Sequence, residues 1–124
     1  MVQSSLQVRN LRFDVASDIP HAWHAAGRSI TTFFDNLSIF FPAGERFFIA
    51  SVRAHMRHVT DPSLQEEVRT FNAQEGVHGR EHARYNARLK AEGYPIDAME
   101  TRVGGYGNLY TTAPGYNEQI KLGS

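Results

Sequence analysis

Residues 62–92 carry a single helical stripe. Steps of three and four from Leu64 meet Val68, Phe71, Glu75, His78, His82, Tyr85 and Leu89 in turn, the spacing that places side chains on one face of an α-helix. The stripe begins and ends apolar, as a core-facing stripe does, yet its central positions are Glu, His and His. Arg69, Arg80, Arg84, Arg88 and Lys90 fall largely off it. A solvated charged face would not occupy the middle of a buried stripe. The segment "FNAQEGVHGREHARYN" (71–86) therefore separates into an outward basic side and an inward side bearing candidate metal ligands. Punctuation at both ends supports the helix. Asp61 suits the N-cap and Pro62 the first turn, while Gly93 and Pro95 stop the chain beyond Glu92.

A second helix is expected over Ala43–Val59, where Phe48, Ile49, Val52, Met56 and Val59 keep helical spacing. Steps back along that face reach Glu45. Pro42 is then placed in this helix's first turn, after a first helix that starts at about Ala22 or Ser29, bends near Gly27 and ends at Phe40. A short fourth helix is expected over Asp97–Val103. Residues 6–15 alternate loosely and suggest an extended arm. Residues 104–124 are rich in Gly and Tyr, lack a helical period and read as an irregular tail. The organisation expected is a helical domain over 1–103 with a tail over 104–124. The fold class is all-α: two long antiparallel helices, a shorter packing helix and irregular ends.

Composition removes several function classes. A chain of 124 residues fits one small domain. Lys plus Arg and Asp plus Glu both number 13, so no nucleic-acid partner is indicated. Cysteine is absent, which removes disulfides, thiolate metal sites and thiol catalysis and fits a reducing compartment. No apolar run approaches the roughly 18 residues of a membrane span, and the opening residues lack a signal-peptide apolar region. A soluble cytoplasmic protein is the expectation.

The inward acids and imidazoles carry the chemistry. A lone buried carboxylate must be neutralised, paired or bound to metal. Glu75-x-x-His78 on one helix, facing Glu45 on another, is half of the ligand set of di-iron and di-manganese bundles. Carboxylates can bridge two hard cations, and imidazole adds a terminal nitrogen. The same letters allow a rival. His78-x-x-Glu81-His82 matches the inverted zinc-protease pattern, in which Glu81 activates water. That reading needs a downstream acid as third ligand and leaves Glu45 and Glu75 unused. A buried hydrogen-bond network with arginine partners is the non-metal alternative. Tyr85 suits a hydrogen-bond donor behind the ligands or plain core, and His55 and His58 suit the surface.

Three segments, "VRNLRFDVASDIPHAWH" (8–24), "FFDNLSIFFPAGERFFIASVR" (33–53) and "DPSLQEEVRTFNAQEGVHGREHARYNARL" (61–89), resemble the bacterial predicted metal-dependent hydrolase family. The resemblance spans about residues 8–102, with "FPAGERFF" and "QEGVHGREHARYN" its specific parts. It implies a ferritin-like helical bundle with metal ligands at Glu45, Glu75, His78 and His82. Family members continue into further apolar helices with more ligands, whereas this chain turns Gly-rich near Gly104. The expectation is a shortened member or fragment, or a homodimer whose chains each supply half of the ligands. The activity implied is hydrolysis of a small substrate by metal-activated water, with Glu81 or a non-bridging carboxylate accepting the proton. Iron is the first choice of divalent metal, with manganese or zinc next. A di-iron, O2-activating oxidoreductase using the same ligands is the alternative, as is a non-catalytic metal-binding or dimerising module.

Overall fold

The computed structural model describes residues 6–15 and 19–112. The chain is all-α. Helix α1 (Arg28–His55) leads through a 3-10 turn, Met56–His58, to α2 (Pro62–Ala91), and α3 (Ile96–Thr112) follows. Residue pairs fix the direction of packing. Asp35 meets Tyr85, Ser38 meets His82, and Glu45 meets His78. Numbers that rise along α1 fall along α2, so the two long helices are antiparallel. Helix α3 packs against both. Its Ile96 joins Ile39 and Leu89 in a small apolar core flanked by Tyr85, Tyr94 and Met99. No helix among the described residues is long and apolar enough to cross a membrane.

The ends of α2 follow local rules. The Asp61 carboxylate accepts a hydrogen bond from Ser63 N at 2.8 Å, and Pro62 occupies the first turn. At the other end Gly93 adopts φ 97°. Its N–H bonds Lys90 O while Tyr94 N–H bonds Leu89 O, the paired closure that a left-handed glycine permits. Gly27, with φ 91°, is the N-cap of α1, and the helix starts at Arg28, beside the Ser29 alternative.

Helix α1 departs from expectation. The two helices anticipated on either side of Pro42 are one, and Pro42 lies buried inside it. An interior proline removes the N–H that would bond the carbonyl four residues back, here that of Ser38. Asn86 of α2 supplies the missing donor: its Nδ2 lies 3.2 Å from Ser38 O. A neighbouring helix thus repairs the gap, and α1 continues.

The polarity of α1 is also inverted. Its buried stripe is Thr31, Asp35, Ser38, Pro42 and Glu45, joined only by Ile39. Ile30, Phe33, Phe40 and Phe48 are exposed. On α2, Leu64 is exposed as well, and the expected inward stripe is deeply buried only at Leu89. The segment expected to be irregular from residue 104 begins as helix, because α3 runs on to Thr112. Packing of Ile96 and Met99 seeds that helix, and propagation is less costly than nucleation. Residues 113–124 lie outside the described residues. The arm over 6–15 has neither helix nor strand. It lies along α2, with Arg9 N–H donating to Gln74 Oε1 at 2.8 Å and Phe13 N–H to Glu81 Oε2 at 3.0 Å.

Asn86 is 1% exposed, so Asn86→Leu is expected to cost about 2 kcal/mol by stranding its buried partners. Adding Pro42→Ala restores a donor for Ser38 O. The double variant should therefore recover part of that loss, a non-additivity measurable by denaturant titration.

Candidate metal centre

Antiparallel register brings Glu45 of α1 over the turn of α2 that carries His78 and His82. Donor atoms of these three side chains all lie within 4.8 Å of one another. Glu45 Oε1 is 2.7 Å from His78 Nδ1, and His78 Nε2 is 3.1 Å from His82 Nε2. Glu45 is 2% exposed. Its contact with His78 is close but out of hydrogen-bonding alignment, so both carboxylate oxygens are buried without a hydrogen-bond partner. Such an atom pair is costly in a folded protein unless a cation or proton meets it. Gly79 makes the approach possible, because a Cβ there would lie 2.5 Å from Glu45 Oε2.

His82 is held in one tautomer by residues the sequence reading did not single out. Asn86 Nδ2 donates to Ser38 O and to Glu100 Oε1 of α3, which leaves Oδ1 as acceptor. Ser38 Oγ donates its only hydrogen to that Oδ1 at 2.8 Å. Toward His82 Nδ1, also at 2.8 Å, the hydroxyl can then only accept. Nδ1 therefore carries the proton, and the lone pair of Nε2 faces the cluster. This is the arrangement by which partners behind a metal-binding histidine orient it. Phe41 stacks on the His82 ring, with centroids 4.3 Å apart and planes 13° apart.

Electrostatics agree with that placement. Burial pushes the Glu45 carboxyl up to about 7, helped by the charge of Glu75 and opposed by Arg46. Burial, with the neighbouring His78, holds His82 below its ordinary value, which favours the neutral, ligating imidazole. Glu75 stands at the edge. Its Oε2 is 3.9 Å from His78 Nδ1, and it is not one of the three clustered residues.

A family model described as predicted metal-dependent hydrolase matches residues 7–120. The chain belongs to that family. No curated protein and no solved structure shows a significant match. The family match runs past the 8–102 segment of resemblance and into the Gly-rich residues after Gly104. Within this hydrolase family the donor set of a metal site has a ready meaning, and Glu45, His78 and His82 could form one.

Glu81 has a different occupation from the one expected of a proton acceptor. Its carboxylate accepts from Phe13 N, from Arg80 Nε at 2.8 Å and from Arg84 Nη1 at 2.9 Å. These bonds, that from Phe13 foremost, hold its carboxyl below the ordinary glutamate range. Arg80 also reaches Asn10 Oδ1 and Leu11 O, so Glu81 and Arg80 together fasten the arm. Tyr85 packs against the apolar core, and it serves Asp35 rather than the three clustered residues. Its hydroxyl donates to buried Asp35, which also accepts from Trp23 Nε1 at 3.3 Å. Burial and Asp35 raise the Tyr85 hydroxyl well above its ordinary value, so it stays protonated. The signal for Ser38 and Asn86 was present in the spacing. Asn86 follows His82 by one helical turn, and Ser38 precedes Glu45 by two on the same face.

Gly79→Ala should gain up to about 1 kcal/mol of helix propensity yet bind Zn2+ more weakly in a competition titration, because its methyl displaces Glu45 Oε2. Gly76→Ala, whose methyl meets nothing within 4 Å, should gain stability with metal affinity unchanged. Glu81→Gln should raise hydrogen–deuterium exchange across residues 9–15. The folded Glu81 carboxyl titrates below its unfolded value. Its contribution is therefore present above the ordinary glutamate range and lost as pH falls through the lower folded value. Protection of the arm in the unsubstituted protein should persist at a pH where free glutamate is half protonated and disappear below it.

Proposed function

We propose that the chain hydrolyses a small substrate with one divalent cation held by Glu45, His78 and His82. The observation that carries this reading is the buried Glu45 carboxylate, with no hydrogen bond to either oxygen, in close contact with His78 and beside His82. Two His and one carboxylate are a ligand set of catalytic sites that keep a coordination position open. A cation there supplies Lewis acidity, the chemistry by which water becomes nucleophilic near neutral pH.

The chain's own residues do the remainder. Asn86 and Ser38 keep His82 Nε2 unprotonated, and the Phe41 ring restricts its rotation. Glu75 is the carboxylate beside the cluster with capacity to take a proton. It replaces Glu81 in that role, since Glu81 already accepts three hydrogen bonds and holds the arm. The di-iron oxidative alternative needs carboxylates that bridge two cations. Only one carboxylate belongs to the cluster among the described residues, so hydrolysis is preferred. Zinc and ferrous iron both suit two imidazoles and a carboxylate. The absence of cysteine fits a cytoplasmic setting.

The homodimer has support of another kind. Phe33, Phe40 and Phe48 are 60%, 53% and 50% exposed on one side of α1. A contiguous apolar face of that kind favours association. A second copy packed there would cover it, and three ligands from one chain need none from the partner.

Purified protein should carry about one zinc, iron or manganese per chain by elemental analysis, and Glu45→Gln and His82→Ala should carry almost none. Ser38→Ala should retain the fold and lose about ten- to a hundredfold in metal affinity. Equal metal in the unsubstituted protein and Glu45→Gln would defeat the proposal. Sedimentation of Phe33→Glu/Phe40→Glu as monomer, against a dimer without the substitutions, checks the pairing face.

A further inference from the structure

Beside the metal centre lies a cleft of about 330 Å³. The arm contributes Phe13 and Val15 to its wall, the segment before α1 contributes Trp23, and α1 contributes Phe34, Leu37 and Phe41. His78 and His82 form one end of it. Its size is at the lower end of that of small-molecule sites.

The polar groups of the wall are already committed. Ser38 donates to Asn86 and accepts from His82. Glu81 accepts from Phe13 N, Arg80 and Arg84. Tyr85 and Trp23 both donate to Asp35. Among the described residues no Lys or Arg lines the cleft, so none of these wall residues offers a permanent cation to an anionic ligand. In the protein without bound metal, the carboxylates of Glu45 and Glu75 near its imidazole end disfavour one as well. The exchangeable polar groups are His78 and His82, at one end only, whose Nε2 atoms pair with each other and would part to meet a ligand's polar atom. A ligand that puts a charge or several hydroxyls against the rest of the wall would lose hydration without compensation.

We propose that this cleft binds an uncharged, largely apolar molecule with one polar function at the imidazole end: an ester or amide of an aromatic or medium-chain acid. The reactive end of this assignment rests on the hydrolytic reading above, whereas the apolar wall stands independently of it. In the reaction, water's hydroxyl joins the acyl carbon as the C–O or C–N bond breaks, and the remaining hydrogen goes to the leaving alcohol or amine. The products are an acid and that alcohol or amine. The acid ionises, and no Lys or Arg among the described wall residues helps to hold its anion. The arm is the fastened wall of the site, with Glu81 and Arg80 as positioning residues for Phe13 and Val15.

The only tryptophan of the chain is Trp23, so its emission reports on the cleft directly. The test is a fluorescence titration of chelator-treated, full-length protein with octanamide, acetamide and octanoate. Octanamide should give a saturable shift in Trp23 emission. Acetamide, lacking the apolar chain, and octanoate, carrying charge, should each bind at least about tenfold more weakly. Leu37→Glu should weaken octanamide by at least about tenfold. Phe34→Ser, at another partly exposed wall position, serves if Leu37→Glu fails to fold. Glu45→Gln lies outside the wall and should lose metal while keeping the octanamide response. A flat Trp23 signal would overturn the proposal, including one caused by a second copy closing the cleft. So would octanoate matching octanamide, or a response indifferent to both wall substitutions. Metal retained by Glu45→Gln would sink the hydrolytic reading alone and leave the cleft assignment standing.

Discussion

The Ser38 carbonyl lacks its regular helical donor, because the residue four positions on is Pro42, and Asn86 of the facing helix donates to it instead. Much of the structure depends on this bond. It lets α1 pass through a buried proline as one helix, so that Glu45 stays in register with His78. With its amide nitrogen committed to Ser38 O and Glu100, Asn86 presents its oxygen to the Ser38 hydroxyl. That hydroxyl in turn fixes the proton of His82 on Nδ1. A backbone defect in one helix, an imidazole tautomer in the second and a carboxylate of the third therefore belong to one buried network. In a low-dielectric interior such a network is favourable only when every member is satisfied.

Glu45 is the exception to that satisfaction. Among the described residues Ile39, Leu89, Ile96 and Pro42 are buried against six polar ones, so packing alone offers little margin for unsatisfied groups. Five of the six polar residues make hydrogen bonds within the network, at the helix start or with the arm. Glu45 alone has both oxygens without a hydrogen-bond partner. Without a cation burial disfavours its charge, which pushes the carboxyl up to about 7. Glycine at position 79 keeps the space it occupies open. The inverted polarity of α1 has the same origin: its inner face carries Glu45 and the polar groups that join α2, and its phenylalanines are left for the cleft wall and the outward face.

Legibility in the sequence followed the range of the forces involved. Helix α2 was readable end to end because Asp61, Pro62 and Gly93 act on their immediate neighbours. The proline in α1 was misread as a boundary because its compensating donor lies 48 positions from Ser38. The extent of α3 was missed because Gly104, Gly105 and Gly107 disfavour a helix locally, while Ile96 and Met99 anchor its start through tertiary packing. At the site, Glu45, His78 and His82 were recognisable as acids and imidazoles on facing stripes. Glu81 was not assignable, since nothing local shows that Phe13 N–H and two arginines converge on it.

The sequence by itself determined an all-helical chain, the limits of its longest helix, membership of a predicted metal-dependent hydrolase family and the residue types of its donor set. Helical periodicity and capping are short-range properties, and they survive reading one residue at a time. Tertiary structure alone decided which carboxylate meets the histidines without a hydrogen-bond partner, which one fastens the arm, and which nitrogen of His82 is free. Those outcomes depend on burial and on the direction of single hydrogen bonds between distant residues, and both exist only once the helices have packed.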